Sequence, residues 1–218
     1  MTKNDKNQKR LCETGALFAY EKQLYTAGAQ IIAGIDEVGR GAIAGPVTAA
    51  AVVLGADWQP IAGLRDSKQL SAKKREELAA LLEESVHTCH IAHVEAAYID
   101  KHGIMPALKR AMTRAIEGLW LDEIDAILID GLPLNLFEQE QAIVKGDSKI
   151  ACIAAASILA KVARDKLMLE VAKDYPGYAL DSNKGYASAA HRQAIAENGL
   201  TPLHRRSFCQ NFLQKSLF

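Results

Sequence analysis

Cysteine is scarce in this sequence, and its cysteines are not paired along the chain. Among 218 residues there are four, Cys12, Cys89, Cys152 and Cys209, and no CxxC motif joins any two of them. Scattered cysteines argue against a disulfide framework and are typical of proteins in a reducing compartment. We therefore expect a cytoplasmic protein.

The chain also lacks a long hydrophobic run. Its first 20 residues begin polar and basic and contain no continuous apolar core, so they do not predict a signal peptide. No stretch elsewhere approaches the roughly 20 apolar residues that a membrane-spanning helix needs. The phosphate-binding motifs GxGxxG and GxxxxGKS/T are absent as well. Their absence argues against dinucleotide-binding and P-loop proteins.

An excess of either charge is missing too, since the formal net charge is zero. No overall field therefore indicates a nucleic-acid partner. From residue 183 to the end, however, five basic residues accompany the single acid Glu197: Lys184, Arg192, Arg205, Arg206 and Lys215. A basic end of this kind suits a metal-dependent nuclease if acidic metal ligands lie elsewhere in the chain, because such acids alone would repel phosphates. A solvated surface explains the charges equally well.

Four short apolar runs, bounded by glycine, proline or acidic residues, predict β-strands. They span residues 31–36, 47–54, 86–96 and 124–130. The link between the first two runs is short, so these two strands should form an antiparallel hairpin.

Apolar residues at helical spacing predict four helices. Ser71 has the character of an N-cap, and three leucines share one face of the helix after it: Leu78, Leu81 and Leu82. The other helices cover residues 104–119, 150–175 and 188–198. The 150–175 segment is so rich in alanine that it must pack closely against a sheet. Strands followed by alternating helices and strands predict an α/β core with a mixed sheet.

Acidic residues stand at or just beyond the ends of three apolar segments. Asp36 and Glu37 are adjacent in IIAGIDEVGRG, Asp130 lies in ILIDG, and Asp147 lies in IVKGDSK. Ligands of α/β sheets gather at strand ends, where four carboxylates would repel one another unless divalent cations held them. Mg²⁺ or Mn²⁺ suits such oxygen ligands, and two ions can stabilise both the attacking and leaving oxygens of a phosphodiester. Acids that cap helices or are merely solvated remain an open alternative.

The adjacency of Asp36 and Glu37 creates a geometric difficulty, because neighbouring residues of a regular strand point to opposite faces. Both can reach one site if the strand bends, and Gly39 and Gly41 make a bend possible. The same glycines free backbone amides for close approach to a phosphate. Acids for a metal beside bare amides for a phosphate favour phosphoryl-transfer chemistry on a nucleic acid.

Seven segments occur in one order: DEVGRGAIAGPV, LRDSKQLS, ILIDG, VKGDSK, AAASILAKVARD, NKGY and TPLHRRSF. Each is weak alone, but the ordered set closely resembles ribonuclease HII, the type 2 ribonuclease H family. The resemblance implies an RNase H-like mixed sheet flanked by helices, with a small helical C-terminal extension. It also implies cleavage of the RNA strand of RNA–DNA hybrids, and nicking on the 5′ side of a ribonucleotide embedded in duplex DNA. We expect a monomer with a polar lead over residues 1–28, a catalytic core over 29–180 and an extension over 181–218.

The resemblance implies that the four acids, Asp36, Glu37, Asp130 and Asp147, bind two divalent ions, Mg²⁺ or Mn²⁺. One ion, held by Asp36 and Asp147, would lower the pKa of a bound water and aim it at phosphorus. A second ion, near Glu37 and Asp130, would stabilise the departing 3′-oxygen. Because water attacks, the expected products carry a 3′-hydroxyl and a 5′-phosphate.

The resemblance also implies a surface that reads ribose. Gly39, Arg40 and Gly41 correspond to the loop that grips the backbone and touches the 2′-hydroxyl, and Tyr186 corresponds to the aromatic that packs on the ribose. Since the 2′-hydroxyl alone separates ribose from deoxyribose here, amides and a phenol are suited to read it. Six further residues are expected to contact phosphates: Ser67, Lys68, Lys149, Lys184, Arg205 and Arg206.

The sequence departs from the family pattern at two places. Ala42 and Ile43 replace the more usual proline–leucine after the turn, a change that could soften the substrate loop. Gly103 stands where asparagine is common, near Pro106, at a helix start where packing alone should change. No expected metal ligand is missing, so we expect activity.

Four other functions fit the sequence less well. The sister ribonuclease HIII type usually carries an added N-terminal substrate-binding domain, and the segment ahead of the first strand is too short for one. A non-catalytic binder of hybrids should lack one or more of the carboxylates. A junction resolvase on the same general fold needs no ribose sensor, so the loop Gly39–Gly41 together with Tyr186 argues against it. A metal-free reaction would use the 2′-hydroxyl as nucleophile with His191 or His204 as base, but no paired constellation supports it.

The segment HTCHIAH could in principle bind zinc. On a strand, His87, Cys89 and His93 would face the same side, with His90 opposite. An ordinary sheet face is favoured, because no second ligand pair lies at zinc-finger spacing.

Asp165, at the end of AKVARD, could approach the acidic site. Pairing with Lys161 or Arg164 on its own helix is favoured instead.

The last five residues, QKSLF, resemble the peptide with which bacterial replication proteins bind the sliding clamp. Gln214, Leu217 and Phe218 would anchor in an apolar groove of that partner, although Lys215 replaces the usual leucine. A helix end packed on the core is the alternative.

Overall fold

The computed structural model describes residues 14–213. One sheet contains five strands: β1 Ile32–Val38, β2 Val47–Val53, β3 Thr88–Val94, β4 Ala126–Asp130 and β5 Glu140–Ile143. The helices are α1 Ala19–Thr26, α2 Ala72–Ser85, α3 Ala96–His102, α4 Ile104–Glu117, α5 Ala151–Ala172, α6 Leu180–Asn183, α7 Ala189–Asn198 and α8 Arg206–Leu213. Short 3₁₀ turns at Ser67–Gln69 and Gly146–Ser148 precede α2 and α5.

The sheet is mixed and has the order β3-β2-β1-β4-β5. β1 pairs antiparallel with β2, and β2 with β3, while β4 runs parallel to both β1 and β5. The predicted hairpin and the predicted α/β mixed sheet are therefore confirmed. The sequence does not predict β5, because its four residues, EQAI, are half-buried and form no apolar run.

Helix α5 crosses one face of the sheet at very close range. An added Cβ at Gly34 of β1 would lie 2.5 Å from the backbone carbonyl carbon of Cys152, so glycine alone admits the helix there. The facing part of α5 is lined with fully buried small side chains: Ala151, Ala154, Ala155, Ala156 and Ala160. The close packing predicted from the alanine content is confirmed.

Helix α4 covers the opposite face with buried apolar residues between Ala107 and Ile116, within the segment 104–119 that the sequence predicts to be helical. Ser71 caps α2 as predicted, since its side chain accepts the backbone N–H of Lys74 at 3.3 Å. One of the three leucines predicted to share the buried face of α2 is placed differently. Leu78 and Leu82 are buried, whereas 47% of Leu81 is exposed, because residues four apart define the contact stripe and Leu81 falls at its margin.

Helix α1 lies within the segment expected to be a polar lead, and it packs on the core. Phe18, just before it, is fully buried against Trp58, with ring centroids 5.2 Å apart. Glu21 is also buried, and its Oε1 accepts the backbone N–H of Cys152 at 2.9 Å. A carboxylate at that position caps the N-terminus of α5 and complements the helix dipole.

The C-terminal helices α6, α7 and α8 surround a small core of their own, which includes Ile43 and Met168. Ser188 caps α7, and Gly199 follows its last residue, as the sequence predicts. Asp100 of α3 accepts two backbone N–H groups at the start of α8. Across residues 14–213, every helix is too short or too polar to serve as a bilayer-spanning segment.

Candidate active site at the strand ends

Strand pairing brings two of the four predicted acids side by side. Ile35 of β1 pairs with Ile129 of β4 in parallel register, so the next residues, Asp36 and Asp130, occupy adjacent positions where β4 ends. Asp36 is only 4% exposed. Asp130 Oδ1 accepts the backbone N–H of Gly146 at 2.6 Å, which ties the loop after β5 to the same strand end.

Glu37 reaches this site although β1 does not break. The antiparallel pairing with β2 continues beyond Glu37 without a bulge, so the bend expected in β1 is wrong, and both acids lie inside the strand. By alternation Glu37 takes the face opposite Asp36, but β4 has already ended and the edge of β1 is open there. Both carboxylates interact electrostatically with Asp130 and with Lys68.

Asp147 joins the cluster from the 3₁₀ turn after β5, where it is 6% exposed. Lys68 approaches it from the turn before α2, with Nζ 3.4 Å from Asp147 Oδ2. The Lys68 side chain is 75% exposed. Its ammonium group is therefore next to the acids and accessible to a phosphate in solution.

Burial, with repulsion by neighbouring acids, raises the pKa values of Asp36, Glu37 and Asp147. Burial, and then the charges of Glu37 and Asp130, raise the pKa of Asp36 to about 8. Burial and the charge of Asp130 also raise the pKa values of Glu37 and Asp147. For Lys68, burial alone would lower the pKa, but Asp147 and Asp36 outweigh it and the pKa is raised. The site consequently favours binding of protons or of a cation.

The donor chemistry fits hard divalent cations. All four ligand candidates are carboxylates, which Mg²⁺ and Mn²⁺ prefer, and a cation would offset the repulsion among them. They do not form a finished cage, since no three histidine, cysteine, aspartate or glutamate side chains between residues 14 and 213 are close enough to hold a metal. Asp130 is turned to the Gly146 amide and Asp147 to Lys68, so metal binding requires these carboxylates to rotate.

Two buried serines support Asp36. Ser67 Oγ and Ser157 Oγ are 2.9 Å apart, and a hydrogen bond from Ser157 lowers the pKa of Asp36. When Asp36 is ionised its carboxylate only accepts, so Ser157 then donates to Asp36 and Ser67 donates to Ser157. The Ser67 side chain was expected to contact phosphate; this is wrong, because the residue is only 4% exposed and its hydroxyl faces the interior.

A buried arginine of α5 holds the glycine–arginine–glycine turn. Gly39 has φ +84°, and an added Cβ there would lie 2.2 Å from Arg164 Nε. The fully buried Arg164 donates to three carbonyls, those of Pro46 at 2.9 Å, Ala44 at 3.1 Å and Lys184 at 2.8 Å. One guanidinium thus joins the link between β1 and β2 to the NKGY segment.

Arg205 holds the same link from the C-terminal extension. It is fully buried, and it donates to the carbonyls of Gly45 and Arg40, both at 3.0 Å. Burial and the charge of Arg164 lower the pKa of Arg205 to about 10, so it remains charged at neutral pH. The prediction that Arg205 contacts phosphate is wrong, because its guanidinium is committed to the interior. Arg206, the next residue, is exposed.

Tyr186 lies beside this link on two cationic side chains. Arg164 Cζ is 5.4 Å and Lys161 Nζ 5.8 Å from its ring centroid, and the residue is 37% exposed. The carbonyl of the preceding Gly185 accepts the backbone N–H of Ile43 at 2.9 Å. The structure therefore brings together the two segments that the sequence assigns to ribose recognition.

The histidines considered for a metal-free reaction are placed elsewhere. His191 and His204 are buried in the C-terminal extension, and their Nε2 atoms are 3.1 Å apart. Burial lowers the pKa of both, that of His204 to about 4. Because each imidazole is enclosed and occupied by protein partners, the structure gives no support to either as a general base.

The remaining predicted phosphate contacts lie at the surface. Lys149 Nζ donates to the Val144 carbonyl at 2.7 Å, and Lys184 Nζ to the carbonyl of Asp181. Arg206 begins α8. Such single bonds to carbonyls leave long basic side chains able to turn toward a polyanion. The tail residues Gln214, Leu217 and Phe218 lie outside the described residues.

The HTCHIAH segment and Asp165 make ordinary structural contacts. His93 Nδ1 is 2.8 Å from Thr48 Oγ1 on the neighbouring strand, and His87 precedes β3 instead of sharing its face. Asp165 Oδ1 accepts from Lys161 Nζ at 2.7 Å, which confirms the favoured pairing within the helix.

The sequence analysis did not identify the residues that hold the site residues in position by hydrogen bonds. Arg75 donates to the carbonyls of Ser67 and Leu70, at 3.1 and 2.6 Å, and so fixes the turn that carries Lys68. Ser157 supports Asp36 in the same way. A lone serine in an alanine-rich run is the signal that could have identified it.

Comparison with known proteins gives one consistent family. A family model described as Ribonuclease HII matches residues 33–211. A curated Ribonuclease HII from Shouchella clausii is 47% identical over 192 residues, which cover 88% of this chain and 73% of the relative.

Solved structures share the fold. The ribonuclease H2 of Pyrococcus horikoshii has a TM-score of 0.70 at 24% identity, over 85% of this chain and 98% of that one. A structure of the PCNA:RNase HII complex from Archaeoglobus fulgidus has a TM-score of 0.66 at 26% identity, over 80% and 93%. Bst-RNase HIII, solved with Mn²⁺, has a TM-score of 0.67 at 19% identity, over 88% and 72%. The expected RNase H-like fold is confirmed.

Proposed function

This chain belongs to the ribonuclease HII family, endonucleases that cleave the RNA strand of RNA–DNA hybrids, and we propose that it also nicks duplex DNA at a single embedded ribonucleotide. The cut falls on the 5′ side of the ribonucleotide and leaves a 3′-hydroxyl and a 5′-phosphate. The reaction depends on Mg²⁺ or Mn²⁺ and on the four clustered acids: Asp36, Glu37, Asp130 and Asp147.

One observation carries this proposal: the acidic cluster directly adjoins a surface suited to read ribose. Glu37 and Gly39 are two residues apart at the end of β1. The Gly185 carbonyl holds the segment carrying Tyr186 against the link that follows. A phosphate placed at the acids would therefore have its neighbouring sugar within reach of the turn and of the phenol.

The acids are proposed to hold the metal ions, and their surroundings prepare them for it. When bound, the ions supply an activated water and stabilise negative charge on the reacting phosphate. Burial keeps bulk water away from Asp36, and Ser157 fixes the orientation of its carboxylate. Lys68, exposed beside Asp147, offsets the charge of the approaching phosphate.

Ribose recognition is assigned to Gly39, Arg40, Gly41 and Tyr186. A Cβ added at Gly41 would meet no heavy atom within 4 Å, so the side on which a nucleic-acid backbone can approach this residue is open. The Tyr186 ring is partly exposed, and the cationic groups of Lys161 and Arg164 lie over it. A deoxyribose lacks the hydroxyl that these groups would bind, so all-DNA duplexes should lose the contacts that position the phosphate.

Phosphate contacts on either side of the cut are assigned to basic residues at the surface. Lys68, Lys149 and Arg206 are exposed, and Lys184 is half-buried. Positive side chains that surround an acidic centre allow a polyanion to approach it.

The deciding experiment is a nicking assay on a DNA duplex with one internal ribonucleotide, run with Mg²⁺ or Mn²⁺ beside an all-DNA duplex. We expect a single cut 5′ to the ribonucleotide, with a ligatable 5′-phosphate, no cut in all-DNA, and no cut by Asp36→Asn. Tight binding with no cleavage would instead indicate a non-catalytic binder. Cleavage of long hybrids without the single-ribonucleotide nick would remove the ribose-reading assignment and leave the family activity intact.

We further propose that the tail binds a sliding clamp through Gln214, Leu217 and Phe218. Its support is the clamp-like sequence QKSLF and the complex of PCNA with an RNase HII of the same fold. A short segment that ends in leucine and phenylalanine can fill an apolar groove. Binding of the full chain to a bacterial clamp should be lost on removal of Leu217 and Phe218, whereas Lys215→Ala should retain it. Equal binding after the truncation, or none by the full chain, would refute the proposal.

A further inference from the structure

We propose that His191 and His204 form a coupled pair of positioning residues, which fixes Tyr186 relative to the link between β1 and β2 and thereby sharpens ribose recognition. The inference depends on the proposed role of Tyr186 in the function above. Neither histidine touches the acids. Each acts through hydrogen bonds to the backbone of the segments that carry the recognition residues.

The hydrogen bonds fix the proton positions along the pair. The backbone N–H of Thr201 points at His204 Nδ1 at 3.0 Å, so this nitrogen must be bare and the proton must lie on Nε2. His191 Nδ1 is 2.9 Å from the Tyr186 carbonyl, which only accepts, so the proton of His191 lies on Nδ1. His204 Nε2–H then donates to the bare His191 Nε2 at 3.1 Å. The chain of donation runs from Thr201 to Tyr186 in one direction.

Only the neutral pair satisfies all of these contacts. The Thr201 hydroxyl, which accepts the Leu203 N–H, lies 2.9 Å from His204 Nδ1 and can donate to the same nitrogen. A proton added to His204 Nδ1 would face the Thr201 amide N–H at 3.0 Å, and one added to His191 Nε2 would face His204 Nε2–H. Burial favours the same neutral state, since both imidazoles are enclosed and the Tyr178 ring packs beside them, 5.1 Å from His204 between centroids. The arrangement is therefore a single, directional one.

His204 also holds the other partner, through its backbone. It forms an isolated antiparallel bridge with Ala44, in the link between β1 and β2. On either side of the bridge, Gly45 N–H donates to the Leu203 carbonyl at 2.9 Å and Arg205 N–H donates to the Ile43 carbonyl at 2.8 Å. The main chain of His204 thus contacts the link between β1 and β2. Its side chain is connected to Tyr186 through His191.

The Tyr186 carbonyl accepts two bonds, from His191 Nδ1 and from the Ser188 N–H at 2.8 Å. Without the bond from His191, Tyr186 would keep the bond from Ser188, but its position would be less restricted. Because small displacements of a positioning group cost much of the rate, the effect should appear in the reaction on ribose and should pass through Tyr186.

A double-mutant cycle tests this coupling. His191→Phe fills the space without the bonds, and we expect it to lower kcat/KM for single-ribonucleotide nicking about 10-fold when Tyr186 is present. In a Tyr186→Ala background the same change should cost less than about 2-fold, because the group it positions is gone. His191→Asn, which keeps a donor near Nδ1, should recover most of the activity. Equal losses in both backgrounds, or no loss at all, would overturn the proposal.

Two controls keep the test decisive. A wild-type chain that fails to nick the ribonucleotide would refute the proposed function, not the pair. Should His191→Phe fail to fold, as judged by thermal unfolding, nitrogen NMR of the wild-type histidines decides. We expect an Nδ1–H tautomer for His191 and an Nε2–H tautomer for His204 at neutral pH. The reverse tautomers, or a charged imidazole, would overturn the pair.

Discussion

Asp36 lies beside Asp130 because the residues before them, Ile35 and Ile129, pair across two parallel strands. The consequence is two carboxylates at one strand end, with Asp36 almost fully buried. Such an arrangement is unfavourable for folding and useful for cation binding. Function and stability should therefore respond in opposite directions when a charge is removed there.

Asp36→Asn should abolish nicking and stabilise the metal-free fold. The amide keeps the shape but removes a buried charge and its repulsion by Glu37 and Asp130. We expect cleavage to fall roughly 10³-fold or more. The free energy of unfolding in chelator at pH 8 should rise by about 2 kcal/mol. Urea denaturation and single-turnover nicking measure the two effects, and Asp122→Asn, at an exposed acid before β4, is the matched control. A less stable Asp36→Asn would contradict the interpretation.

Stability of the metal-free protein should fall as pH rises. The pKa of Asp36 is about 8 in the folded state and about 4 in an unfolded chain. Between these values the folded state retains a proton that the unfolded state has released, so stability decreases with pH, by at most about 1.4 kcal/mol per unit for this group. The raised pKa values of Glu37 and Asp147 act in the same direction.

Urea denaturation in chelator at pH 5, 6, 7 and 8 checks this pH dependence. Asp36→Asn should show a shallower slope than the wild type, and added Mg²⁺ or Mn²⁺ should flatten the wild-type slope. Identical slopes for the two proteins would show that Asp36 does not carry a raised pKa.

The two glycines of the turn should differ when replaced. Gly39→Ala places a side chain at φ +84° and against Arg164, so we expect a loss of about 1–3 kcal/mol in stability together with loss of nicking. Gly41→Ala meets no neighbouring atom and has no positive φ, so its melting temperature should equal that of the wild type. Any loss of nicking by Gly41→Ala then reports the approach of the substrate backbone. Equal melting temperatures for both variants would contradict the role given to Gly39.

Adjacent arginines should separate stability from binding. Arg205→Ala leaves the carbonyls of Arg40 and Gly45 without their donor, and we expect it to destabilise the fold by on the order of 3 kcal/mol. Arg206→Ala should leave stability unchanged. It should weaken binding to hybrid and to DNA alike, and lower the salt dependence of binding by about one counterion. The reverse pattern in unfolding and salt-titration experiments would restore Arg205 as a phosphate contact.

The sequence predicts local elements well where one physical signal dominates. The short apolar run that ends at Asp36 predicts β1, and alanine content predicts the close approach of α5. Short, half-buried β5 gives no such signal. The parallel register that places Asp36 beside Asp130 depends on contacts between distant segments, which no local pattern encodes.

Site residues follow the same division. The acids can be identified from the sequence because they stand at the ends of apolar runs, and the glycine-rich turn can be identified from its composition. Arg205 and Arg206 look alike in the sequence, yet one is buried and the other exposed. A basic residue is expected at the surface unless carbonyls satisfy it internally, and those carbonyls come from a link some 160 residues away. Charge counting alone therefore misassigns it.

Helix α5 sets a limit on how this chain can change in length. Ser157, Lys161 and Arg164 follow one another at spacings of four and three, and they serve the acid, the aromatic ring and the turn in that order. Its N-terminus is held by Glu21, and its contact with Gly34 leaves no room to slide. A single residue inserted between Cys152 and Arg164 would rotate everything beyond it by about 100°. Insertions and deletions should therefore be absent from this stretch of viable variants, whereas loops that carry no site residue can vary in length.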